Sequence, residues 1–315
     1  MASYVADPQL TANNPPAPPF DSTRDTRYFF PSAGHAEALS RLLFLAEDRN
    51  MGMGLLTGEI GSGKTLLRTV LHSRLSPDSH VRVSIENGLL AFDDLLLEIL
   101  SQVQSQRLRA SDYPDRYSRL AAFKRLLTEQ IASHNRHLVI MLDEDQQLVP
   151  RCLDAIKGLT NISSERQNYL TVILIGQPEL RAHLRQIPQV DQRVSLRFHL
   201  TALTAEETRE YVRHRLAVAG YRGAFPFDDD AFDTLFRTSH GIPREVNRIC
   251  KVALEYVLTK DLGRFSGSAI ATVVDDQRRH GGLFDAAADP VYPLRDRRSA
   301  NSRRPRFPRR AGARP

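Results

Sequence analysis

Apolar residues along this chain recur in two alternating rhythms. From residue 35, "HAEALSRLLFLAED" has the three-and-four spacing of an amphipathic helix. The short apolar run "GMGLLTG" then predicts a buried strand, and "KTLLRTVLHSRL" predicts a helix after it. The alternation continues through "VRVSIEN" (81–87) as a strand and "AFDDLLLEILSQV" and "YSRLAAFKRLLTEQIASHN" as amphipathic helices. "HLVIMLDED" (137–145) predicts a strand ending in acids, "LDAIKGLTNISSE" a helix, and "YLTVILIGQ" (169–177) and "RVSLRFHL" (193–200) two more strands. The strands are apolar throughout, which predicts a parallel sheet covered on both faces.

After about Leu203 the strand pattern stops. "TAEETREYVRHRLAVAG", "DDDAFDTLFRTSHG", "PREVNRICKVALEYVLTK" and "SGSAIATVVDDQRRH" predict four helices. Thr204 ahead of "AEE" gives the first a capping-box start, and Gly220 gives it a stop. The predicted division is an α/β unit over 20–202 and a helical lid over 203–280. Residues 1–19 are rich in proline and asparagine, and residues 281–315 in proline, arginine and serine. Both ends are expected to be disordered.

Composition adds limits. The 315 residues are 41% hydrophobic and 25% charged, with no tryptophan, which suits a globular protein with sizeable cores. Cys152 and Cys250 each sit in an apolar helical pattern with no CxxC, so free buried thiols in a reducing compartment are expected. The first twenty residues lack a basic region followed by an apolar run, so no signal peptide is expected. No apolar stretch nears the roughly 20 residues that cross a bilayer. A soluble cytoplasmic protein is the expectation. The net charge of +6 is unevenly spread: residues 295–315 hold nine arginines against one acid, Asp296, a balance of +8 that leaves −2 for the rest.

The chemistry concentrates at residues 57–65, "TGEIGSGKT". Gly58-x-x-x-x-Gly63-Lys64-Thr65 follows a predicted strand and opens a predicted helix, the context a phosphate-binding P-loop needs. Glycines let backbone N–H groups turn inward toward phosphate oxygens, and the helix start adds favourable partial charge. Gly58, Glu59, Ile60, Gly61, Ser62, Gly63, Lys64, Thr65 and Leu66 form the candidate nucleotide-binding set. Lys64 is placed to reach the β- and γ-phosphates of ATP, and the Thr65 hydroxyl to ligate Mg2+. The strand "LVIMLDEDQQ" delivers Asp143 and Glu144 to its carboxyl end, where ligands bind in open α/β sheets. Asp143 is the second candidate for the metal, and Glu144 the candidate base for an attacking water.

Four further positions are candidates. Gln177 ends the next strand and reads equally as a contact to the γ-phosphate or as a strand end before a proline turn. Arg193 precedes the last strand and is the candidate to act across a subunit interface, with Arg197 competing for the role. Arg244, in "GIPREVN", opens a helix after a Gly–Pro break and is placed to fold over the nucleotide.

Together these motifs resemble AAA+ ATPases, and more narrowly the ExeA-type, general secretion pathway protein A group. The resemblance runs from about Phe20 to about Arg278 through "PFDSTRDTRYFFPSAGHAEAL", "LLTGEIGSGKTLLR", "VIMLDEDQQL", "LIGQPEL", "YVRHRLAVAG" and "GIPREVNRIC". It implies an ATPase core with a helical lid, sensor roles for Gln177 and Arg244, oligomerisation, and an adenine side lined by Tyr28–His35. Asp145 stands where the group usually has alanine. Secretion members continue into a transmembrane segment and a peptidoglycan-binding domain, and neither pattern occurs here. Similar short ATPases assist transposases. The arginine-rich end, with Tyr292 and Phe307 as its aromatics, suits sequence-independent contacts to duplex DNA. The first expectation is therefore a DNA-associated ATPase with a transposase partner. The second is a switch in secretion or envelope assembly that works through protein partners. A small-molecule kinase would use the same loop but gives no reason for the helical "GIPR" region.

Overall fold

The computed structural model describes residues 18–86, 90–143, 150–162, 167–222 and 225–280. Expectations for most of 1–19, for 281–315 and for Glu144 and Asp145 lie outside the described residues. Five strands form one parallel sheet: β1 (Met53–Gly58), β2 (His80–Ile85), β3 (His137–Asp143), β4 (Leu170–Gly176) and β5 (Val194–Leu200). Their order is β2-β3-β4-β1-β5. Helices cover it: α1 (Ala33–Glu47), α2 (Lys64–Arg74), α3 (Phe92–Gln104), α4 (Arg116–Leu126), α5 (Pro150–Thr160), α6 (Pro178–Arg185) and α7 (Pro188–Asp191).

The three central strands β1, β3 and β4 are buried at every position. Alternate side chains serve different cores. Met53, Leu55, Ile140, Leu142, Val172 and Leu174 join a cluster built with α3 to α7. Leu56, Val139, Met141, Ile173 and Ile175 join one built with α1 and α2. Each fully buried apolar side chain of this size contributes roughly 1.5–3 kcal/mol, and the strands read as mostly apolar runs in which Thr57, His137, Asp143 and Thr171 are the buried polar exceptions. The edge strands correct that expectation. On β5, Ser195, Arg197 and His199 are exposed while Leu196 and Phe198 pack toward α1.

Two elements escape the sequence pattern. α6 and α7 both start at a proline in the first turn, a start signal that needs no long apolar repeat. The long helix predicted from Tyr117 gives way after α4 to a π-helix, Leu127–Ala132, which keeps Leu127 and Ile131 buried.

Four helices follow: α8 (Ala205–Val218), α9 (Asp229–Ser239), α10 (Pro243–Thr259) and α11 (Gly267–Arg279). They share a third core, in which Phe227 and Phe265 stack at 4.1 Å. The capping box is present, with Glu207 N–H donating to Thr204 Oγ1 and Thr204 N–H to Glu207 Oε2. Glu207 Oε1 also accepts from Ala33 N–H at 2.9 Å, tying the helical unit to the start of α1. Phe20 is buried in the helical core, so the segment leading into the α/β unit begins in the other unit. Cys152 and Cys250 are buried, and neither forms a disulfide among the described residues. Among the described residues, no helix is long and apolar enough to cross a membrane.

At the end of the sheet away from the glycine loop, His137 is fully buried. Thr171 Oγ1 donates to Met51 O, so its oxygen accepts from His137 Nε2, 2.8 Å away. Nδ1 then carries the lone pair. Burial first, then the charges of Arg49 and His80, lower the His137 pKa to about 4 from 6.5. A folded pKa below the unfolded value means that the unfolded chain binds more protons between these limits. Stability is therefore whole above about pH 6.5 and declines as pH falls toward 4, by about 3 kcal/mol at about 1.4 kcal/mol per pH unit. Urea unfolding across this range is expected to show that loss in the parent chain and a loss smaller by that amount in His137→Asn.

Candidate functional site

The loop between β1 and α2 is shaped by its protein neighbours. Gly63 is the N-cap of α2 at φ 100, and Gly61 has φ 82, a region that favours glycine. A Cβ at Gly58 would lie 2.8 Å from Leu200 O of β5 and 2.9 Å from Ser62 Oγ. One at Gly61 would lie 2.6 Å from Arg244 Cβ, and one at Gly63 2.8 Å from His35 Nε2. The three glycines are thus pressed against β5, α10 and α1. Arg244 N–H donates to Gly61 O at 3.2 Å, which seats the first turn of α10 on the loop.

His35 holds the loop from the other side. Its Nε2 lies 3.0 Å from Ser62 O, a carbonyl, so Nε2 donates, and Nδ1 accepts from Ser32 Oγ at 2.7 Å. Burial lowers the His35 pKa, in keeping with this neutral tautomer. The resemblance placed the whole Tyr28–His35 segment on the adenine side. Tyr28, Phe29, Phe30 and His35 all line the cavity described below, and His35 also supports the loop itself.

Lys64 Nζ reaches back into the loop and donates to Gly58 O at 2.6 Å and Glu59 O at 2.8 Å. Burial lowers its pKa first; Asp143 and Glu59 oppose that, and Arg244 adds to it. Thr65 Oγ1 donates to Asp143 Oδ2 at 3.2 Å, so the two candidate metal ligands from α2 and β3 meet.

These groups line a cavity of about 530 Å3 between the α/β and helical units. Ile60, Gly61, Gly63, Lys64, Thr65 and Leu66 come from the loop and α2, Asp143 from β3, Gly176 from the end of β4, and Gln177 from the residue after it. Phe20, Tyr28, Phe29 and Phe30 form an aromatic side. α10 contributes Arg244, Asn247, Arg248 and Lys251, whose spacing sets them on one helix face. Of these, sequence reading singled out only Arg244; the repeat in "REVNRICK" was the available signal. Arg215, also unforeseen, stacks over Tyr28 at 4.3 Å and donates Nη2 to Asp21 O at 2.6 Å.

The remaining candidates divide. Gln177 reaches the cavity, as the N-cap of α6 without a side-chain cap bond. Arg193 and Arg197 are exposed and do not line it; Arg197 pairs with Asp191 at 2.7 Å. Glu144 lies outside the described residues.

The cavity fits a bound polyphosphate. Its loop end presents a helix N-terminus with two cations, Lys64 and Arg244, the second raising the cost of the first's charge. An anion between them relieves that repulsion. The Thr65–Asp143 oxygens next to it suit a hard divalent cation.

Known proteins resemble this chain in sequence and in fold. A family profile described as "AAA domain" matches residues 47–184. General secretion pathway protein A of Aeromonas hydrophila is 37% identical over 246 residues, 75% of this chain. The chain spans 42% of the length of that curated relative. The ADP form of Aeropyrum pernix ORC2 superposes with a TM-score of 0.59 at 21% identity, covering 84% of this chain and 74% of that one. Drosophila ORC bound to DNA gives 0.58 at 17% identity, covering 88% and 70%. The fold is that of the AAA+ P-loop NTPases.

The contact between Gly61 and α10 has a direct consequence. Gly61→Ala is expected to destabilise the chain by roughly 1–3 kcal/mol, from the positive φ and the clash with Arg244. Urea midpoints of parent and variant check this.

Proposed function

We propose that this chain, whose residues 47–184 form an AAA domain on the AAA+ P-loop fold, binds ATP with Mg2+ and hydrolyses it to drive an oligomeric switch. The observation that carries the reading is the seating of Arg244 on Gly61, which puts a lid arginine within charge range of the loop lysine.

In this reading the N–H groups of the loop and of the first turn of α2 hold the phosphates. Lys64 leaves the carbonyls of Gly58 and Glu59 to reach the β- and γ-phosphates. Thr65 and Asp143 hold Mg2+, which supplies neutralisation of phosphate charge when bound. Gln177, at the end of the neighbouring strand, contacts the γ-phosphate or orders the water. Glu144 takes the proton from that water. Arg244 reports nucleotide occupancy to the helical unit through its own helix. Arg193, with Arg197 as the alternative, serves the site of an adjoining subunit from the exposed surface. Tyr28, Phe29 and Phe30 form the base side.

Two uses of the hydrolysis have separate support. The arginine-rich 281–315 region favours duplex DNA as partner, with a transposase recruited beside it. The 37% identical relative, named for general secretion, favours a protein partner in envelope assembly.

Phosphate release from ATP, with and without duplex DNA at low salt, tests both levels. Lys64→Ala is expected to weaken nucleotide binding. Glu144→Gln is expected to bind ATP yet turn it over at least ~10²-fold more slowly. Normal turnover in Glu144→Gln would remove Glu144 as the base. Stimulation by DNA that fades with added salt supports the DNA-linked use, and indifference to DNA favours the protein partner.

A further inference from the structure

A line of charges joins the wall of the cavity to its floor. The segment that carries Tyr28 also carries Arg24, which grips Glu86 fork on fork: Nη1 to Oε1 at 2.6 Å and Nη2 to Oε2 at 2.8 Å. Glu86 directly follows β2. Its Oε1 also accepts from Arg68 Nη2 at 2.6 Å. Arg68 sits on α2 three residues after Thr65, with its side chain 4% exposed. Its Nε lies 3.7 Å from Asp143 Oδ2, the oxygen that accepts from Thr65.

Arg68 is therefore shared unequally. It is hydrogen-bonded to Glu86 but stands only in charge range of Asp143. Its Nε and Nη1 are buried without a hydrogen-bond partner. A buried guanidinium with idle N–H groups gains by closing on the nearest carboxylate. The bond to Glu86 opposes that movement. A guanidinium closed on Asp143 would compete with a divalent cation for the same oxygen.

The other end of the segment is fixed to the helical unit. Arg215 donates to the carbonyls of Pro19 and Asp21, and Lys251 pairs with Asp21 at 2.7 Å. Residues 19–24 thus span from the helical unit to β2 along the aromatic side of the cavity. Displacement at either end is felt at Glu86.

We propose that Glu86 is a positioning residue that holds Arg68 off Asp143, and that Arg24 sets Glu86, so that the aromatic wall of the cavity and the divalent-cation site are coupled. This rests on the nucleotide reading above. By linkage, what moves the segment changes the demand for the cation, and cation binding changes the hold on the segment by the same factor.

The test is binding of a fluorescent ATP analogue to the full chain over a range of Mg2+ concentrations, which requires no turnover. In Glu86→Gln, the Mg2+ concentration for half-maximal strengthening of binding is expected to rise roughly three- to tenfold, the scale of one charge contact. Affinity without Mg2+ is expected to stay within about twofold, since the phosphate cradle is untouched. Arg24→Gln is expected to shift the Mg2+ demand in the same direction by less, and to add nothing in a Glu86→Gln background. Adding Arg68→Met to Glu86→Gln removes the competing guanidinium and is expected to return the Mg2+ demand to the parent level or below. A merely structural role for Glu86 predicts no such rescue. An unchanged Mg2+ demand in Glu86→Gln, or a shift that persists with Arg68→Met, overturns the proposal while the functional reading stands. A parent chain that shows no Mg2+-dependent nucleotide binding overturns the functional reading and this inference with it.

Discussion

The loop between β1 and α2 has no space for one extra carbon at three of its positions, and the rest of the molecule is organised around that restriction. Gly58 lies against β5, Gly61 against the start of α10, and Gly63 against His35 of α1. The edge of the sheet, the helical unit and the first helix therefore meet at a single turn of chain. This close approach gives the cavity walls from both units. It also makes the loop a mechanical joint, because any group that moves the loop backbone presses on all three neighbours at once.

Electrostatics completes the joint. Lys64 is paired with the loop's own carbonyls and sits within range of Arg244, so the site holds positive charge that its protein partners only partly offset. Beside it lies the Asp143 carboxylate, which meets Thr65 and faces Arg68. A Mg2+–polyphosphate has the complementary arrangement of charge. The aromatic side, with Tyr28 under Arg215, matches the flat, less polar part of a nucleotide.

Much of this was legible in the sequence because it depends on local rules. The strand–glycine–lysine order set the P-loop, the apolar runs set the central strands, and Thr204 with Glu207 set the start of α8. The position of Asp143 followed from strand polarity alone. What stayed hidden depends on distant contacts. Nothing local marks His35 as the support of Ser62, since its partner is 27 residues away and the bond is to a backbone oxygen. The pairing of Arg24 with Glu86 spans 62 positions. Ser195, Arg197 and His199 on β5 escaped the buried pattern because an edge strand is covered on one face only. The start of α6 was masked by the same Gln–Pro step that marked Gln177 as a site residue.

The central claim is that the loop, Asp143 and Arg244 together hold a Mg2+–nucleotide. The most direct measurement is a crystal structure of the chain with a non-hydrolysable ATP analogue and Mg2+. The expected result is the triphosphate on the N–H groups of the loop, Lys64 withdrawn from the carbonyls of Gly58 and Glu59, and Arg244 turned onto the phosphates. A nucleotide seated elsewhere, or one bound here with Lys64 still on those carbonyls and Arg244 turned away, would contradict it.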